Sequence, residues 1–287
     1  MESWPPRSSG RSWRSASAAG LTWSGDTARS SARGAGSKWA AARARRATAG
    51  RAARNLARGG ERYTETALHF DVERLPPLLI RSLPAGPLAL ADLGCGDGPL
   101  FAVLSREGLI DATRPVYAVD LEAGRLARVS ARFPWIVALV ASADSVPGIP
   151  DGSLDAVIST MVMEHVPDEG AYLAEIHRVL RPGGRAYVTT VFKRRWAWYF
   201  RKRDGTSVLD TSHLREYTDL GALRSLVTSS GLRIAALERR LLWFPLLDPL
   251  PFRAGGRLTS HRRTLRALRA AKVPIPGYYS LEVVLEH

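Results

Sequence analysis

Three glycines on alternate positions, Gly94, Gly96 and Gly98, constrain this chain more than any other feature. They follow the apolar run Leu88-Ala89-Leu90 and the tripeptide Ala91-Asp92-Leu93, and they precede a helix-like segment over 100–107. The order strand, glycine turn, helix lets a backbone approach a ligand closely while helix amides point toward it. Two ligand classes suit such a turn. A dinucleotide site is spelled Gly-x-Gly-x-x-Gly. Here the spacing is Gly-x-Gly-x-Gly, with Asp92 two residues ahead and Pro99 behind.

The segments that follow alternate between strand and helix patterns. Residues 114–121 read as a short buried strand that ends in Asp120, 22 residues past Gly98. A carboxylate there can accept hydrogen bonds from both hydroxyls of a ribose, or it can cap the helix expected over 122–133. A third strand is expected over 135–141. Within 154–166 a fourth strand, rich in apolar and β-branched residues, is expected to lead into a polar loop. Tyr172, Ile176, Val179 and Leu180 then recur at helical spacing over 168–180, with Asp168 as N-cap. Arg181-Pro182-Gly183-Gly184 stops that helix, and 185–192 reads as strand five. A helix over 218–230, a strand over 232–237 and a last strand over 282–285 complete the pattern.

Taken in order, these motifs resemble the class I S-adenosylmethionine-dependent methyltransferases. The likeness runs from about residue 88 to 192 and rests on four strings: Asp92 with its glycines, the strand ending at Asp120, the segment 142–155, and His177-Arg178-Val179-Leu180-Arg181-Pro182-Gly183-Gly184. It implies an α/β fold, doubly wound on a mostly parallel seven-stranded sheet of Rossmann-like type, whose last strand is antiparallel. It implies S-adenosyl-L-methionine as cofactor, held by Asp92, Gly94, Cys95, Gly96, Gly98, Asp120, Leu121, Ser142, Ala143, Asp144 and Thr160. In the family an Asp meets the adenine amino group. Counted back from Pro147 that position is Ser142, with Asp144 two residues on, so either residue can take the role, while Ala143 supplies an amide.

Methyl transfer from a sulfonium needs positioning and exclusion of water more than covalent machinery. A base helps only when the acceptor must lose a proton. His165, just past strand four, stands where ligands bind in open parallel sheets, and an imidazole of pKa about 6.5 suits proton removal. His213, Tyr217 and Glu164 are the other candidates, and a loop histidine bonded to a carbonyl is the plainer alternative for His165. Some ubiquinone-pathway O-methyltransferases of the family hold a metal through Glu-x-x-Glu-His in this loop. This chain reads Met161-x-x-Glu164-His165, one ligand short, so no metal is expected.

Two inserts are expected on the substrate side. Residues 193–217 interleave Lys193, Arg194, Arg195, Arg201, Lys202 and Arg203 with Trp196, Trp198 and Tyr199. That mixture suits an anionic, planar or sugar-containing acceptor, or an exposed basic loop over the core. Residues 241–276 hold an apolar stretch broken by Pro245, Pro249 and Pro251. A basic stretch over 257–272 follows and can lie on a membrane surface, which would fit a lipid-linked acceptor.

The net charge of +14 suggests nucleic acid, but residues 1–60 hold 12 basic and 2 acidic residues. Residues 61–287 hold 29 basic and 25 acidic, near balance. The basic excess belongs to an Arg-, Ala- and Ser-rich tail, expected to be disordered, which resembles a transit peptide or reflects an upstream start assignment. Binding or modification of RNA through that tail, and a cofactor-binding domain without catalysis, are the alternative functions. Residues 61–287 suffice for one domain, with 63–83 as a helical lead-in. No signal core or transmembrane run stands out, so a cytoplasmic protein is expected, with peripheral membrane contact at most. The single cysteine, Cys95, excludes an internal disulfide.

Overall fold

The computed structural model describes residues 73–245 and 272–287. In chain order they form α1 (Pro77–Ser82), β1 (Leu90–Leu93), α2 (Phe101–Arg106), β2 (Val116–Asp120), α3 (Ala123–Arg132), β3 (Val137–Val140), β4 (Leu154–Thr160) and α4 (Glu169–Val179). Then come β5 (Leu180–Lys193), β6 (Lys202–Arg203), β7 (Thr206–Ser207), α5 (Leu220–Ser229), β8 (Arg233–Pro245) and β9 (Lys272–Glu286). Seven strands make one sheet in the order β3-β2-β1-β4-β5-β9-β8. The first four pairings in that order are parallel, and β9 runs antiparallel to both β5 and β8. This is the doubly wound, Rossmann-like α/β sheet with an antiparallel last strand.

Strand order reverses at β1, which pairs with β2 on one side and β4 on the other. In open α/β sheets the crevice beyond the carboxyl ends at such a point is where ligands bind. The two-residue period of the strands sends alternate side chains to opposite faces. Ala91, Leu93, Val157 and Val188 join Tyr172, Leu173 and Ile176 of α4 and Leu223 and Val227 of α5. Leu90, Val116, Ala156 and Ile158 join Leu79 of α1, Phe101 and Leu104 of α2, and Leu126 and Val129 of α3. Both faces of β1 and β4 are therefore covered, which is why these strands read as nearly unbroken apolar runs.

Helix starts follow their caps. The Asp168 side chain accepts from the amides of Gly170 and Ala171 at 2.9 and 3.0 Å, as expected for an N-cap. Asp219 does the same for Gly221 at 2.7 Å, so α5 begins two residues later than expected. The strand expected over 135–141 shrinks to four residues, because it is the sheet edge and Val137 and Val140 stay exposed. The larger correction concerns the second insert. Residues 241–245 and 272–276 are not part of an insert but the outer arms of β8 and β9, with Trp243 opposite Pro274 and Phe244 opposite Val273. Prolines at 245, 274 and 276 broke the strand pattern there. The expected tail over 1–60, residues 63–72 of the lead-in and residues 257–271 of the basic stretch lie outside the described residues, as all of 1–72 and 246–271 do, and the described part of the lead-in holds the short helix α1. Among the described residues no helix is long and apolar enough to cross a membrane.

At the amino end of the sheet, away from the crevice, Asp155 clamps β1 to β4. It accepts from the Ala89 amide at 2.8 Å, from Arg114 at 2.6 Å and from Arg181 at 2.6 Å. Burial disfavours its carboxylate, but the Ala89 amide and the two guanidinium groups outweigh burial and hold its pKa below the usual range. Asp155→Ala should lower stability by about 1.5–3 kcal/mol, the scale of hydrogen bonds to a charged group. A depressed folded pKa means that this contribution is present above the unfolded value of about 3.9 and is lost as pH falls through the lower folded value. Urea denaturation at pH 7 and pH 3 tests this. An equal midpoint for variant and wild type at pH 7 would contradict it.

Candidate functional site

The glycine turn is shaped for glycine at positions 94, 96 and 98. Gly94, Gly96 and Gly98 have φ of +76°, +57° and +68°. L-residues reach that left-handed region only at a cost. Space is also lacking. A Cβ on Gly94 would collide with the side chain of Val162, and one on Gly98 would lie 2.7 Å from Phe101 and 2.9 Å from Val129. The turn is tied to the neighbouring strand, with the amides of Gly94 and Cys95 donating to the Val119 carbonyl at 2.8 and 2.9 Å.

Two carboxylates meet there. Asp120 accepts from the Gly96 amide at 2.8 Å and from the Glu122 amide at 2.9 Å. It does not cap α3, whose N-cap is Glu122 without a side-chain bond, so the capping alternative is removed. Asp92 is 1% exposed, and its Oδ1 has no hydrogen-bond partner among the described residues. Burial, helped by the charge of Asp120, pushes the Asp92 carboxyl up to about 8. A buried carboxylate with a free oxygen, beside a second carboxylate, is a demand for a cation. The Cys95 thiol is buried and raised by burial and the nearby aspartates, so Cys95 contributes backbone and no thiolate chemistry.

The next strand ends frame the other side. The Ala141 amide donates to the Asp120 carbonyl at 3.2 Å, which carries 141–144 past the end of β2. Ser142 pairs with Ser145 in an isolated antiparallel bridge, Ala143 is buried, and Ser142 and Asp144 are both half-buried. Leu121, next to Asp120, is 55% exposed, an apolar side chain placed at the crevice without cover. Thr160 ends β4 and is half-buried.

The loop after β4 starts at Met161, which holds φ of +57°, rare for a non-glycine residue. It then brings Val162 against Gly94 and presents Glu164 and His165. The insert supplies His213. The rings of His165 and His213 lie 4.8 Å apart, edge to face. Burial first, then His213, pushes His165 down to about 4, so it is a neutral imidazole near pH 7 and a weak base. Glu164 is fully buried, and burial raises its carboxyl although Thr190 and His213 oppose the shift. Burial also raises the phenol of Tyr217, and its hydroxyl has no partner among the described residues. Tyr217 therefore stays protonated near neutral pH, fit to donate a hydrogen bond and not to act as a base.

Arg215 and Glu216 hold this arrangement together, and the sequence patterns did not single them out as positioning groups. Arg215 donates to the carbonyls of Met163, Val166 and Pro167 and pairs with Glu169 at 2.6 Å. It thereby sews the insert to the β4 loop. Glu216 takes His213 at 2.9 Å, Lys193 at 2.9 Å, the Leu209 amide at 2.6 Å and the Tyr278 hydroxyl at 3.3 Å. Burial opposes its charge, but His213 and Lys193 hold its pKa below the usual range. The His213-x-x-Glu216 spacing was the available signal. Several cations read as substrate-facing are engaged within the protein instead: Lys193 with Glu216, Arg201 with Asp210, and Arg203 with the His213 carbonyl. Arg194, Arg195, Trp196 and Trp198 stay exposed.

Gly98→Ala combines a left-handed backbone with a collision and should lower stability by about 2–5 kcal/mol. Gly152 shares a positive φ of +58°, but a Cβ added there would meet nothing within 4 Å. Gly152→Ala should therefore cost only about 1–2 kcal/mol. Thermal denaturation of both variants separates backbone strain from collision, and equal losses would contradict the part assigned to packing.

Comparison with known proteins agrees with this geometry. A methyltransferase-domain family matches residues 91–188. A protein of Mycolicibacterium smegmatis described as a probable S-adenosylmethionine-dependent methyltransferase is 33% identical over 99 residues, 34% of this chain and 36% of that one. An uncharacterized methyltransferase of Mycobacterium bovis is 32% identical over 128 residues, 43% of this chain and 58% of that one. The chain thus spans between about a third and three fifths of these relatives' lengths. Among solved structures, geranyl diphosphate C-methyltransferase from Streptomyces coelicolor superposes with a TM-score of 0.50 at 17% identity, covering 73% of this chain and 78% of that one. The [4+2]-cyclase SpnF does so with a TM-score of 0.52 at 17% identity, with the same coverage. These structures share the fold.

Proposed function

We propose that this chain, which carries a class I methyltransferase domain, binds S-adenosyl-L-methionine at the Gly94–Gly98 turn and transfers its methyl group to an oxygen or nitrogen. The acceptor we propose is a small molecule, a glycan or a lipid-linked molecule. One observation carries the reading. A turn that only glycine can form is pinned beside two carboxylates, one of them buried with a free oxygen.

The residues present fit that cofactor. Asp92 would meet the ammonium of the methionine portion, Asp120 the ribose hydroxyls, and Leu121 the adenine face. Ser142, Ala143 and Asp144 would line the adenine edge, and Thr160 the rim. When bound, the donor supplies an electrophilic methyl on a sulfonium. The chain's own part is to position the acceptor and to exclude water, since a sulfonium methyl needs no covalent help. An acceptor O–H or N–H loses a proton, which His165 or His213 would take, while Tyr217, protonated near neutral pH, would donate a hydrogen bond.

The similarity to SpnF supports a second reading, because a protein with this fold is named for an activity other than methyl transfer. Nucleic acid is not the acceptor we propose, since the charge excess belongs to residues 1–60. Peripheral membrane contact stays part of the proposal for a lipid-linked acceptor. Trp196, Trp198 and Trp243 are 67%, 58% and 56% exposed, and rings with one polar edge suit a membrane interface.

Calorimetric titration of the full chain with S-adenosylmethionine tests the proposal. We expect saturable binding and a loss of about 10-fold or more in Asp120→Ala, the scale of 1.5–3 kcal/mol for hydrogen bonds to a charged group. No heat of binding would overturn the proposal, and an unchanged Asp120→Ala affinity would overturn the ribose assignment. The pH dependence has a definite sign. Asp92, raised to about 8, holds a proton at pH 6–7 that a bound ammonium must expel. Affinity should therefore rise with pH between 6 and 7.5, by at most about tenfold per unit, and a proton should appear in the buffer. Asp92→Asn should flatten the profile.

A further inference from the structure

We propose that Glu164, His165 and His213 form a site for a divalent first-row transition metal ion such as Zn²⁺ or Co²⁺. One ligand atom from each residue lies within 4.8 Å of the other two. Three ligands around such an ion at about 2.1 Å stand about 3.4 Å apart, so small side-chain rotations close the set. Two imidazoles with one carboxylate favour a borderline metal over Mg²⁺ or Ca²⁺, which take oxygen ligands.

The surrounding bonds hold one atom of each ligand and leave another to bind. His213 Nδ1 lies 2.9 Å from Glu216 Oε1, so a donated proton there leaves Nε2 as a lone pair. A carboxylate behind a histidine in this way fixes the tautomer and raises ligand basicity in metal sites. Thr190 Oγ1 donates to Glu164 Oε2 at 2.8 Å, while Glu164 Oε1 is buried with no hydrogen-bond partner among the described residues. His165 Nδ1 lies 3.5 Å from Ser212 Oγ, leaving its Nε2 free to turn toward the cluster. A buried carboxylate oxygen without a partner is costly, and a cation removes the cost.

The sequence pattern excluded a metal because Met161 stands where a first carboxylate would be. His213, from the distant insert, supplies the missing ligand, and Arg215 holds that insert on the loop. Three protein ligands leave a coordination position open. Its use in presenting an acceptor oxygen rests on the methyltransferase reading, but the site itself does not.

The test uses the full chain, free of any affinity tag, stripped with chelator and titrated with Co²⁺ in the absence of methyl donor. Failure of donor binding therefore leaves the result intact. We expect one Co²⁺ per chain with visible ligand-field bands. Binding should be lost in His165→Ala and His213→Ala and unchanged in His177→Ala, which disrupts the separate His177–His287 pair. Glu216→Gln, a positioning change, should weaken binding about 10–100-fold. Should the site variants fail to fold, X-ray absorption of Zn²⁺-loaded His177→Ala reads the ligands directly, and two imidazoles are expected. No Co²⁺ binding, binding unaffected by His213→Ala, or a zinc shell without imidazole would overturn the proposal.

Discussion

Two amides, those of Gly94 and Cys95, share the carbonyl of Val119, and the amide of Gly96 rests on the Asp120 carboxylate. This backbone contact between the first turn and the end of β2 sets everything around it. It depends on glycine at 94, 96 and 98, since all three are left-handed and core side chains crowd Gly94 and Gly98. It also brings two acids together at the point where strand order reverses. Asp120 accepts from two amides, while Asp92 is buried and raised. The turn thus stores an electrostatic demand that a cationic ligand meets.

The opposite wall obeys a different constraint. The β4 loop and the insert belong to distant stretches of sequence, and ionic and carbonyl contacts from Arg215 and Glu216 bind them into one surface. Buried charges of this sort contribute little net stability and are strongly destabilising when one partner is removed. Their effect here is geometric. They decide where His213 stands relative to His165 and Glu164, and they occupy cations that a reading of composition assigns to substrate.

Much of the fold was legible because it is local. Periodicity over β2, β4 and α4, the Asp168 cap and the glycine spacing each concern residues within a few positions of one another. The likeness to known methyltransferase sequences then supplied the seven strands and the antiparallel last one. The parts that were not legible depend on partners far apart in sequence. Pro245 reads as a strand breaker until Lys272 is placed opposite it, so the arms of β8 and β9 looked like an insert. The lining of the insert was misread for the same reason, since Lys193 meets Glu216 and Tyr278 only after folding. At the glycine turn the sequence pattern named Asp92 and Asp120, but only the fold shows that burial raises one and that amides hold the other.

The central claim is that the turn at 94–98 and the end of β2 form one ligand-binding surface. Hydrogen–deuterium exchange of the full chain with and without S-adenosylhomocysteine tests it most directly. The account predicts added protection at the amides of 94–98, 120–122 and 142–144, with the Asp155 clamp at the other end of the sheet unchanged. Protection confined to other segments, or none at a concentration that saturates related enzymes, would contradict it.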